Sequence, residues 1–146
     1  IDPTFRGPGG SWSVYWYNGV IVSSEIARGL DVFELVPSAF ITQNEIDAAK
    51  TVRFEYLNVQ GQQKMVWPPS FALARAYLDQ LTRSGGLSAS RIASVSAELS
   101  SAEKMSGQKR KDVLSALSTA LHTEARSSSD APKAHILARA VGDLAK

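Results

Sequence analysis

Hydrophobic and polar positions change rhythm twice along this chain. From Trp12 to Leu35 the sequence WSVYWYNGVIVSSEIARGLDVFEL alternates aromatic and β-branched residues with small polar ones, the period of two that marks strands. Asn18-Gly19 separates the first two runs, and both residues tolerate the positive φ of a two-residue type I′ hairpin turn. That turn predicts a register: Tyr17 opposite Val20, Tyr15 opposite Val22 and Ser13 opposite Ser24 on one face. Trp16, Val14 and Trp12 then stand opposite Ile21, Ser23 and Glu25 on the other. Both faces carry large apolar groups, which predicts a hairpin covered on both sides, as in a stacked blade or a sandwich. A third run, Asp31 to Leu35, follows an Arg28-Gly29 turn and makes a three-stranded meander.

The rhythm then shifts toward helix. Thr42-Gln43-Asn44-Glu45 matches a capping box, predicting a short helix through Lys50. Val52, Phe54 and Tyr56 alternate with Arg53 and Glu55, an extended segment with one buried edge, and Gln60 to Gln63 reads as loop. After Trp67-Pro68-Pro69 the chain becomes Ala/Ser-rich and helical. Ser70 is placed to cap a helix with Phe71, Ala74, Leu78 and Leu81 on one stripe, ended by Gly85-Gly86. A second, from Ser88 to about Ser106-Gly107, aligns Ile92, Val95, Leu99 and Ala102. A third carries Val113, Leu114, Leu117, Ala120 and Leu121 before the polar run Arg126 to Ser129. Asp130 caps the last, with Pro132 in its first turn and Ile136, Leu137, Ala140, Val141 and Leu144 as its stripe. The expected fold class is α+β: an incomplete antiparallel β-meander over 1–36, a connecting segment with a short helix over 37–69, and a bundle of three or four helices over 70–146.

Composition narrows the chemistry. Cysteine is absent, which excludes disulfides, thiolate metal sites and cysteine nucleophiles. No uninterrupted apolar run is long enough to span a membrane, and Ile1-Asp2-Pro3-Thr4 has the character of neither a signal peptide nor a natural start, so a cut from a longer chain is expected. Residues 1–66 hold five Lys/Arg against seven Asp/Glu, whereas residues 67–146 hold eleven against seven. The mildly basic tail is explained by a solvated helical face, with an independent polyanion-binding module as the alternative.

Several linked segments resemble the C-terminal end of LVIVD-repeat proteins: Gly10-Ser11-Trp12-Ser13 with Tyr15-Trp16-Tyr17-Asn18-Gly19, then Ser24-Glu25-Ile26-Ala27-Arg28-Gly29-Leu30-Asp31-Val32. Asn44-Glu45-Ile46-Asp47-Ala48-Ala49-Lys50 and Thr51-Val52-Arg53-Phe54 extend the likeness, which covers roughly residues 7 to 82. The resemblance implies an exported protein (periplasmic, cell-surface or extracellular) with a β-propeller-like body. Three strands would then be part of a terminal four-stranded blade, with the remainder of the propeller or another protein chain as partner. It implies a non-catalytic binding or interaction role, with the helical tail mediating docking or assembly. The alternative is a part of a metal-dependent propeller enzyme whose main site lies in the upstream body.

Individual residues offer few chemical candidates. Glu25 and Asp31 are candidate metal ligands in a propeller channel, where a carboxylate beside aromatics would have a raised pKa; capping, or pairing with Arg28, is their plainer role. Trp12, Tyr15, Trp16, Tyr17 and Trp67 are candidates for a partner-binding or stacking platform, against the core role usual for aromatics on a two-sided sheet. Lys109, Arg110 and Lys111 open the third helix of the bundle, where the helix dipole disfavours cations, and so are candidate partner contacts. No aromatics interleave with them, which gives nucleic-acid binding little support. His122 and His135 lack a metal-binding spacing and are read as helix-surface residues. No catalytic residue and no cofactor is indicated: neither G-x-S-x-G nor a phosphate loop occurs, and Gly7-Pro8-Gly9-Gly10 reads as a loop entering the sheet.

Overall fold

Asn18 and Gly19 take the turn conformation expected of them, with φ of 51° and 100°, and the strands on either side form an antiparallel pair. The computed structural model describes residues 9–146; the readings made of Ile1 to Thr4, of Gly7-Pro8 and of the first eight residues of the meander lie outside these. Strand β1 (Ser11–Tyr17) pairs with β2 (Val20–Glu25), which pairs with β3 (Gly29–Phe33), in the order β1-β2-β3. The register follows the turn from Tyr17↔Val20 through Ser13↔Ser24. It then shifts: Ser11, not Trp12, stands opposite Glu25. The irregularity has a local cause, because the Glu25 carboxylate accepts the Gly10 amide at 2.9 Å and the Gly10 carbonyl accepts Ile26 N–H at 3.0 Å. Pulling the strand end onto the β2–β3 turn leaves Trp12 as the odd residue of a bulge.

Helix α1 (Gln43–Lys50) opens on the anticipated capping box: Thr42 Oγ1 accepts Glu45 N–H and the Glu45 carboxylate accepts Thr42 N–H. The run from Val52 to Leu57 forms no strand. Val52 is buried, but the alternation fails by Tyr56, which is exposed, and Val59–Gly61 forms a single 3₁₀ turn within what reads as loop.

Four further helices complete the chain: α2 (Phe71–Ser84), α3 (Ala89–Glu103), α4 (Gly107–Ala125) and α5 (Ala131–Leu144). Ser70, Ser88 and Asp130 each accept a backbone amide of the first turn that follows, satisfying donors a helix start leaves open. Gly85 ends α2 in the left-handed region at φ 65°, with the Gly86 amide bonded back to Leu81. Successive helices pack on one another and α5 returns to α2, closing a four-helix ring; α1 lies against α2. The core is this ring's interior, lined by Leu78, Leu81, Val95, Leu99, Leu114, Leu121, Leu137 and Val141, with alanines 74, 102, 125, 134 and 138 allowing close approach. One stripe is corrected: Ile136 is 43% exposed. Ala134, Leu137, Ala138 and Val141, spaced by three and four, form the buried face of α5 instead.

Candidate functional site

The sheet differs from the helical ring in how little covers it: several of its large apolar side chains stand in water. Among the described residues, no strand packs on a helix, and alternation along the paired strands sorts the side chains into two faces. Tyr15, Tyr17, Val20, Val22, Leu30 and Val32 share one; Val14, Trp16, Ile21 and Phe33 share the other. Trp12 is 77% exposed at the bulge, Val32 58% and Phe33 50%. Among the described residues the hairpin expected to be covered on both sides is covered only in part: Trp16, Tyr17, Val20, Ile21 and Val22 are half-buried, whereas Val14, Tyr15, Leu30, Val32 and Phe33 are exposed. Each large apolar side chain left in water forgoes roughly 1.5–3 kcal/mol relative to full burial. Among the described residues no further backbone group bonds the outer edge of β1 or of β3, and an unpaired edge is a template for another strand. The indole Nε1 of Trp16 is buried and without a hydrogen-bond partner among them.

The sheet is held at its hairpin tip. Asn18 Nδ2 donates to the Phe54 carbonyl at 2.9 Å while Asn18 Oδ1 accepts Phe54 N–H at 2.7 Å. Arg53 Nη1 donates to the Asn18 carbonyl at 2.6 Å and the Tyr17 hydroxyl donates to the Phe54 carbonyl at 3.2 Å. Gly19 sits against the stem of Lys50, close enough that an added Cβ would lie 3.2 Å from Lys50 Cγ. The turn residues thus both reverse the chain and clip the sheet to the segment after α1. Nothing in the local sequence pattern announces that second duty of Asn18.

The two candidate carboxylates meet on one guanidinium. Arg28 Nη2 donates to Asp31 Oδ2 at 2.7 Å, and Arg28 Nε lies 3.8 Å from Glu25 Oε2. Glu25 also accepts the Ala27 and Arg28 amides at 2.8 and 2.6 Å. The Arg28 contacts match the plainer role read for both residues, and the Gly10 amide, with those of Arg28 and Ala27, holds the Glu25 carboxyl below the usual range despite burial. Among the described residues no group of three or more His, Asp or Glu is placed to share a metal ion.

The aromatic candidates separate. Tyr15 and Tyr17 join Tyr56, Val22, Leu57 and Val59 around an open cleft of about 410 Å³. Trp67 lies elsewhere, beside Tyr77 and Lys133 over the α1–α2 junction. The basic cluster is partly spent within the fold. Arg110 stacks over the Phe71 ring at 5.1 Å, with Arg75 also 5.7 Å from it, and Lys111 Nζ donates to the Lys146 carbonyl at 2.7 Å. These contacts explain why cations are tolerated at the start of α4.

Two further groupings escape sequence reading. Glu45 does more than cap: it accepts both Arg83 Nη atoms, at 2.9 and 2.6 Å, and Gln80 Nε2 at 2.9 Å. Arg83 first, then the Thr42 amide and Gln80, bring its carboxyl down to about 2, and the carboxylate locks α1 to α2. On the opposite helices, His122 and His135 face each other with Nδ1 atoms 3.3 Å apart. No protein-family model matches the chain, and neither a curated protein nor a solved structure matches it.

Proposed function

We propose that this chain is a non-catalytic interaction module whose sheet completes a larger β-propeller-type structure and whose helical bundle serves docking or assembly. One observation carries the reading: a three-stranded sheet with apolar side chains exposed on both faces and, among the described residues, no strand paired to either edge, attached to a helical body that buries its own core. Three strands are the fewest that stand alone, and then with an apolar face buried; covering such faces while pairing the edges is what adjacent strands of a blade and neighbouring blades do. The resemblance to LVIVD-repeat proteins supplies the partner, the remainder of the propeller, and the exported setting belongs to the same proposal. Glu25 and Asp31, each paired with Arg28, shape the β2–β3 turn in this reading.

Sedimentation of the full chain with a propeller-type β-domain of LVIVD-repeat character tests it. The wild type is expected to form a one-to-one complex, and Val14→Lys or Val32→Lys to weaken it at least about tenfold, the cost of one unburied apolar contact. A wild-type chain that stays monomeric beside that domain at high micromolar concentration would overturn the proposal.

A further inference from the structure

We propose that His122 and His135 form a two-histidine site for a divalent transition-metal ion of the zinc class. His122 lies one turn before the end of α4 and His135 one turn into α5, so the pair bridges the two helices close to their connection. Below them the helices are fixed: Leu121 and Leu137 are fully buried, and the Ser118 hydroxyl donates to the Ala138 carbonyl at 2.7 Å. Two rigid elements therefore set the spacing of the rings, whose centroids are 5.6 Å apart with planes inclined by 36°.

The spacing of the nitrogens carries the proposal. Zinc–imidazole bonds of about 2.0–2.1 Å at a tetrahedral angle put two ligand nitrogens about 3.3–3.4 Å apart, and the two Nδ1 atoms are 3.3 Å apart. A square-planar site would draw them to about 2.8 Å, so the tetrahedral preference of zinc suits the pair better. Both residues are exposed, leaving water to fill the remaining two positions. In the hydrogen-bonded pair one Nδ1 holds a proton and the other accepts it. Metal binding needs both lone pairs, so that proton leaves Nδ1 and a proton is taken up at Nε2 of the same ring through solvent, with none lost overall. Arg139, four positions beyond His135 on α5, and Arg126, four beyond His122 at the C-cap of α4, add positive charge that opposes a cation and keeps the site labile. The bound ion would staple α4 to α5 and raise the thermal midpoint with metal concentration.

Zinc titration of the full chain by calorimetry, paired with long-range ¹H–¹⁵N spectra of the histidine rings, tests the site. One zinc ion per chain is expected, with both Nδ1 resonances moving together and binding weakening as the solution is acidified and protons compete. His122→Asn and His135→Asn should each weaken binding by at least about tenfold, with helical circular dichroism unchanged. Movement of one ring alone, or a double variant that binds zinc as tightly as the wild type, would reduce the observation to an adventitious ion only and overturn the proposal.

Discussion

Replacing Asn18 with glycine separates the two duties of that residue. Glycine adopts positive φ readily, so the turn survives Asn18→Gly, while both side-chain bonds to Phe54, at 2.9 and 2.7 Å, are lost. A net value of about 0.5–1.5 kcal/mol for each puts the lost attachment at roughly 1–3 kcal/mol. The Arg53 and Tyr17 contacts remain, so the lower half of that range is the better expectation. Local opening at Phe54 should become about 5- to 30-fold more frequent, read as faster exchange of the Phe54 amide. The helical ring makes no use of Asn18, so its unfolding free energy should stay within about 0.5 kcal/mol of wild type. Unchanged Phe54 exchange, or an equal loss of stability throughout α2 to α5, would refute the view that the sheet is clipped on through this residue.

Glu45 makes the fold acid-sensitive. Its folded carboxyl lies at about 2 against an ordinary 4.5, so its contribution is fully present above about pH 4.5 and drains away as pH falls toward 2. The full difference corresponds to roughly 3 kcal/mol, which solvent screening of the partly exposed Arg83 partner reduces to about 1–2 kcal/mol. Urea unfolding between pH 6 and 3 should show somewhat more than half of that loss in the wild type and a shallower one in Glu45→Gln; parallel profiles would dismiss the lock. Gly86→Ala should cost about 1–3 kcal/mol by overpacking, since the new Cβ would lie 2.5 Å from Leu81 Cδ2 and 3.0 Å from Asp130 Cβ. Calorimetry should register a lower midpoint by about 3–10 °C, and an unchanged midpoint would mean that the α2–α3 turn relaxes freely.

What the sequence made legible was what short-range chemistry decides. The Asn18-Gly19 turn fixed the hairpin register over its central pairs, and Thr42, Ser70, Ser88 and Asp130 marked helix starts, because each signal and its effect lie within four residues. The pairing at Trp12 was missed because the bulge depends on Glu25 bonding Gly10 across the strand end. Ile136 was misplaced because α5 faces two neighbours, α2 and α4, which rotates the buried stripe onto its alanines. Asn18 with Phe54, Glu45 with Arg83, and His122 with His135 are tertiary meetings without a periodic signature. Turn and cap preferences explain the presence of Asn18 and Glu45 so completely that a second role leaves no trace in the pattern.

Hydrogen exchange across β1, β2 and β3 probes the open sheet most directly. In the chain alone these amides should exchange orders of magnitude faster than those of Leu99, Leu121 and Leu137 in the helical ring, and gain protection when a propeller-type β-domain is added. Sheet amides as slow as the helical core in the chain alone, with no change on that addition, would contradict a sheet that depends on a partner.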